Sequence, residues 1–74
     1  MAHLTPADFG SRLVAAREGR DFTAAHLANL TGVRKGRISL WENGHQEPSA
    51  DNIRKLALAL NVTADYLLGI NSDG

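Results

Sequence analysis

The sequence of 74 residues contains no cysteine, which removes disulfides and thiolate metal sites from consideration. An excess of charge of one sign is also missing, because eight basic residues balance eight acidic ones. Neutrality argues against a chain that coats nucleic acid without selectivity, which would be strongly basic. It leaves room for a focused basic face, since the distribution of charge matters more than its sum. No apolar stretch approaches the ~20 residues needed to cross a bilayer. The opening Met-Ala-His-Leu-Thr-Pro lacks the basic patch and apolar run of a signal peptide. Without such a signal, the Asn29-Leu30-Thr31 and Asn61-Val62-Thr63 strings are not read as glycosylation acceptors. A soluble, cytoplasmic chain is expected, with no membrane partner.

Chemistry of the catalytic kind is absent too. There is no nucleophile–base pair, no carboxylate pair and no phosphate-cradling glycine loop, so the chain is not read as an enzyme. His3, His26 and His45 have no metal-ligand spacing, and no cofactor or metal is expected. No stretch alternates with the two-residue period of a strand, and there are no internal repeats. A chain of this length holds one domain, small but able to fold without staples.

What is present is helical punctuation. Thr5, Pro6 and Asp8 suit a helix start, and Phe9, Leu13 and Ala16 follow at helical spacing. Gly19 is a plausible stop, giving a first helix over 6–18. Thr23 caps a second helix, which ends near Leu30 because Gly32 can adopt positive φ. A third runs from about Lys35 to Asn43 and stops at Gly44. Ser49 caps a fourth with the stripe Ile53, Leu56, Ala57 and Leu60, ended by Asn61. Thr63 caps a short fifth carrying Tyr66, Leu67 and Leu68, ended by Gly69. The fold class is therefore all-α, a compact five-helix bundle. Residues 1–70 form the domain, and 71–74 are a polar tail expected to fray.

The second and third helices, joined by a tight turn at Gly32, have the layout of a helix-turn-helix over about 23–43. Ala28 is small enough to let the third helix approach, Val33 can plug the gap, and Ile38 can anchor the third helix. Trp41 is read as a packing residue rather than a stacking platform. Arg34, Lys35 and Arg37 place three positive charges in four residues, with no acid until Glu42. Most of the remaining acids lie downstream. With Ile38 turned inward, Lys35, Gly36, Arg37, Ser39 and Leu40 face outward, on the surface that enters the major groove in this architecture.

These strings resemble the phage-repressor (Cro/CI-like, XRE-type) helix-turn-helix family over about residues 9–68. The resemblance is carried by Thr23 through Leu27-Ala28, Thr31-Gly32-Val33, Ile38-Ser39 and Trp41-Glu42-Asn43-Gly44. Pro48-Ser49, Leu56-Ala57, Ala59-Leu60, Val62, Asp65 and Leu67-Leu68 continue it. It implies a lambda-repressor-like fold and a regulator, of the repressor kind, that binds a two-fold operator in double-stranded DNA as a homodimer.

For single positions the resemblance implies a buried pair between Arg17 and Glu42, and phosphate contacts near Asn43. It makes Thr23 the cap of a helix whose amides face the DNA backbone. Arg34, Lys35, Gly36, Arg37 and Leu40 are the base-reading candidates, with Lys35 and Arg37 favoured. Arginine can grip guanine O6 and N7 as a fork, and a leucine can meet a thymine methyl. Thr23, Ser39, Asn43 and His45 are the phosphate candidates. Tyr66, Leu67, Leu68 and Ile70 are either core or a dimer patch. Departures from the family pattern are Ala24 in place of glutamine after the second cap, Arg34 in place of a serine or asparagine cap, Gly36, and Leu40. The neutral charge together with Ala24 and Leu40 motivates a second reading, an antitoxin or anti-repressor module that binds a protein partner.

Overall fold

The computed structural model describes residues 6–70, with side chains from residue 8 onward. Thr5, His3 and the tail 71–74 lie outside the described residues. The five helices are α1 (Pro6–Gly19), α2 (Ala24–Thr31), α3 (Lys35–Glu42), α4 (Ala50–Leu60) and α5 (Ala64–Leu68). No helix among the described residues is long and apolar enough to cross a membrane.

The punctuation residues set most of these limits. Thr23, Ser49 and Thr63 each hold extended backbone and accept the amide three residues on, from His26, Asn52 and Tyr66. Each bond satisfies one of the donors that a helix start leaves without an intrahelical partner. Gly32, Asn61 and Gly69 end α2, α4 and α5 in the left-handed conformation. At α1 the expectation needs correction. The helix runs through Gly19, and the left-handed residue is Asp21, at φ 58°. Aspartate tolerates that region because its short side chain can bond locally. Both the Arg20 and Phe22 amides then donate to the Arg17 carbonyl at 3.1 Å, which closes the turn.

The core draws on all five helices. Phe9 and Leu13 of α1, Leu27 of α2, Ile38 and Trp41 of α3, Leu56 and Leu60 of α4 and Leu67 of α5 are its largest buried side chains. At roughly 1.5–3 kcal/mol for each such side chain, this cluster is the main source of stability. The α3 helix packs on both α1 and α2, while α4 joins α2 to α5.

One close approach was not anticipated. Gly10 lies against the C-terminal end of α3, where a Cβ would sit 2.5 Å from the Glu42 carbonyl oxygen and 2.6 Å from that of Trp41. Only a glycine lets the two backbones meet there.

Leu67 is wholly buried, so it belongs to the core and not to a dimer patch. It follows from the short helix: α5 has five residues and one of its three consecutive large residues must point inward. Leu68 is half-buried, whereas Tyr66 and Ile70 are exposed. Leu30 and Leu58 are also exposed, at 50% and 75%. They line an open groove between α2 and α4 with Thr31, Lys55 and Ala59.

Candidate nucleic-acid interface

The α3 helix has a start unlike those of its neighbours. Arg34 occupies the N-cap position in extended backbone and makes no side-chain cap bond. There is no acid in the first turn, whereas α4 and α5 carry Asp51 and Asp65 there. Arg34, Lys35 and Arg37 are all exposed. Among the described residues, ion pairs join Arg17 to Glu42 and Asp51 to both Arg54 and Lys55, and none involves these three cations. Gly36 adds a helix cost, and nothing lies within 4 Å of the place its Cβ would take.

The energetic sense of this is unfavourable for folding. A lost cap costs about 0.5–2 kcal/mol. Cations near the positive end of the helix dipole cost ~0.3–1 kcal/mol each where exposed. Glycine costs about 1 kcal/mol against alanine. Several such choices in adjacent positions are expected where a surface serves binding rather than stability. The same features present backbone amides and uncompensated positive charge on one exposed surface, which suits an anion such as a phosphate.

The other candidates sit around this surface. Leu40 is 37% exposed and Ser39 is exposed. Asn43 caps the end of α3, and its Nδ2 donates to the Ser39 carbonyl at 2.9 Å and to Ser39 Oγ at 3.3 Å. The Asn43 amide is thus held against the last turn of α3. Exposed His45 follows in the loop, its amide bonded to the Leu40 carbonyl at 2.9 Å. At α2, the Thr23 hydroxyl accepts from His26 N at 3.0 Å and retains its own proton as a donor.

Behind the surface, Arg17 ties α1 to the end of α3. Its Nε donates to Glu42 Oε2 at 2.7 Å, and its Nη2 to Oε1 at 3.3 Å. The remaining Nη1 donates to the Phe22 carbonyl at 2.8 Å. Both side chains are more than four-fifths buried. Hydrogen bonding to Glu42 raises the Arg17 pKa above the usual arginine value, although burial opposes it. The bidentate geometry is the strong form of such a pair. Sequence reasoning missed Phe22, whose carbonyl completes this knot, and Gly10, which brings α1 close enough for it.

A further contact lies within α3. The Arg37 guanidinium sits 5.4 Å from the centroid of the Trp41 ring. Trp41 is fully buried, and its Nε1 has no acceptor among the described residues.

Residues 13–67 match the helix-turn-helix family HTH_3. The chain belongs to that family, whose members are DNA-binding transcription regulators of the Cro/CI-like, XRE type, not enzymes. Among its relatives is repressor protein C2 of Salmonella phage P22, 37% identical over 59 residues, a match covering 80% of this chain and 27% of the repressor. The crystal structure of the P22 c2 repressor with a synthetic operator superposes with a TM-score of 0.80, at 35% identity, covering 85% of this chain and 96% of that one. The restriction-modification controller protein C.AhdI from Aeromonas hydrophila superposes at 0.81, with 32% identity, covering 84% and 94% of the two chains. The chain spans 27% to 56% of the length of the curated relatives it matches.

Proposed function

We propose that this chain represses transcription by binding a two-fold operator as a homodimer, with α3 of each subunit in the major groove. The observation that carries this reading is the start of α3, where Arg34, Lys35 and Arg37 stand exposed, with no ion-pair partner among the described residues, around a helix end without a side-chain cap. The similarity to P22 repressor C2, crystallised with a synthetic operator, supports it. Lys35 and Arg37 read base edges, with Gly36 and Leu40 allowing close approach and contact to a thymine methyl. Arg34 serves phosphate or base. Thr23, Ser39, Asn43 and His45 fix the helix against the backbone. Exposed Tyr66 and Ile70, with half-buried Leu68, supply the apolar contact between subunits. Two copies then present their α3 helices about 34 Å apart. The site of action is the cytoplasm.

A mobility-shift titration against the DNA flanking the gene, run at two salt concentrations, tests this. A retarded complex that weakens steeply as salt rises, through counterion release, is expected. No complex with any genomic fragment at low salt would overturn it.

A further inference from the structure

Trp41 is the sole tryptophan of the chain, and its position does more than fill the core. The indole is fully buried and its N–H has no acceptor among the described residues. The ring is therefore held by packing alone. The last turn of α3, which carries the ring, is itself seated closely on α1, because Gly10 lets the backbone carbonyls of Trp41 and Glu42 approach. The ring is a fixed object. Four residues earlier, on the same face of α3, exposed Arg37 lays its guanidinium over this ring at 5.4 Å. That distance lies within the range at which the negative face of an indole attracts a cation, and tryptophan is the best aromatic partner.

An arginine on a surface helix ordinarily samples many rotamers, and a base contact must freeze them. A guanidinium already resting on an immobile ring loses less freedom when it engages a base, and engages it from one direction. We infer that Trp41 is a specificity-positioning residue: its ring holds Arg37 in the pose from which it reads a guanine. Trp41 touches no DNA itself. The inference rests on the DNA-binding reading above and extends it to a residue that reaches the operator only through another.

Two measurements on the full chain test it. In the first, the wild-type protein is studied by NMR, free and bound to the duplex it selects from random DNA. A guanidinium over an indole gives Arg37 δ-proton and Nε–H resonances shifted upfield by the ring current, and the shift persists in the complex. An unshifted Arg37 in the free protein, or a shift that vanishes on binding, overturns the inference.

In the second, selection is repeated with Arg37→Ala, Trp41→Leu and Trp41→Phe. Loss of Arg37 removes discrimination at one base pair in each half-site, about 5- to 150-fold, which corresponds to ~1–3 kcal/mol for a bidentate contact. Trp41→Leu weakens discrimination at that same base pair by about two- to fivefold, which corresponds to ~0.5–1 kcal/mol for an exposed cation–π contact. Trp41→Phe keeps a π face and retains more of it. Unchanged discrimination in Trp41→Leu overturns the inference. So does an Arg37→Ala variant that binds all sequences equally more weakly with a salt slope reduced by about one, the mark of a phosphate contact. A wild-type chain that selects no sequence would fail earlier and remove the DNA-binding reading as well. An operator that is bound with normal specificity by Trp41→Leu removes only the role of the ring. Where Trp41→Leu does not fold, the NMR measurement on wild-type protein decides alone.

Discussion

Arg17 grips both carboxylate oxygens of Glu42, at 2.7 and 3.3 Å, and so fastens the first helix of the domain to the end of the third. The pair is largely buried, and its third arm is spent on the Phe22 carbonyl. Removing one partner strands the other charge. Glu42→Ala and Arg17→Ala are each expected to cost about 2–4 kcal/mol, at or just below the range for a fully buried pair. The double variant should cost less than the two added together. Urea unfolding of the four proteins measures this, and simple additivity would mean that the two charges are not coupled.

The raised Arg17 pKa fixes a pH dependence by its sign. A base whose pKa is higher in the folded state contributes its full stability below the unfolded value, and loses it only as pH rises through the folded one. That window lies above the ordinary arginine range, so this pair holds throughout neutral and moderately alkaline solution. In Arg17→Lys the ammonium also gains Glu42 as a partner, so its folded pKa is held above the unfolded lysine value of about 10.4, and its share of the stability is lost at a lower pH than that of the arginine. The gap in stability between wild type and Arg17→Lys should therefore widen as pH is raised above that lysine value. Parallel curves would contradict it.

Gly10→Ala should destabilise the domain. Alanine gains about 1 kcal/mol of helix propensity, but its Cβ meets backbone carbonyl oxygens of Trp41 and Glu42 at 2.5–2.6 Å. Backbone cannot step aside as a side-chain tip can, and overpacking of this kind costs about 1–3 kcal/mol or more. The thermal midpoint should fall. An unchanged or higher midpoint would show that α1 and α3 are free to separate.

Repairing the start of α3 should separate stability from binding. Arg34→Ser supplies the missing cap, and Gly36→Ala meets no neighbour within 4 Å. Each should add about 0.5–1 kcal/mol, which for a domain of this size raises the midpoint by roughly 4–8 °C per kcal/mol. Both should weaken binding to the selected operator. A variant that gains stability and keeps full affinity would show that its position had no part in the interface.

Leu67 of α5 and Ile70 just beyond it should behave in opposite ways. Leu67→Ala empties a fully buried position and should cost about 2–5 kcal/mol. Ile70→Ser changes a residue that is 56% exposed, so stability should hold while self-association weakens in sedimentation equilibrium. Equal association by Ile70→Ser and wild type would move the subunit contact elsewhere.

Much of this architecture is legible in the sequence because it is written locally. Thr23, Ser49 and Thr63 announce helix starts, and Gly32, Asn61 and Gly69 announce ends, each within a few residues of the element it bounds. Gly10 is different. A glycine inside a helix signals a cost, but the carbonyl oxygens that require it lie some thirty residues away, and no local pattern names them. Leu67 could not be assigned to core or surface because Tyr66, Leu67 and Leu68 are consecutive and α5 is too short for a period to emerge. Asp21 escaped notice because Gly19 stood two residues earlier and is the more permissive residue. The Arg37–Trp41 contact has the i, i+4 spacing that lets helix side chains meet. The spacing was there to be read, whereas the burial that fixes the ring comes only from the fold.

The central claim is that the uncapped, uncompensated start of α3 reads DNA. Selection from random duplex DNA, followed by titration of the selected site at rising salt, tests it most directly. The expected result is a two-fold symmetric site whose half-site centres lie about one helical turn apart. Its affinity should fall steeply with salt, and it should be lost when Arg34, Lys35 and Arg37 are replaced together by alanine. Failure to enrich any sequence, or an enriched site that the triple variant binds as tightly as wild type, would contradict the claim.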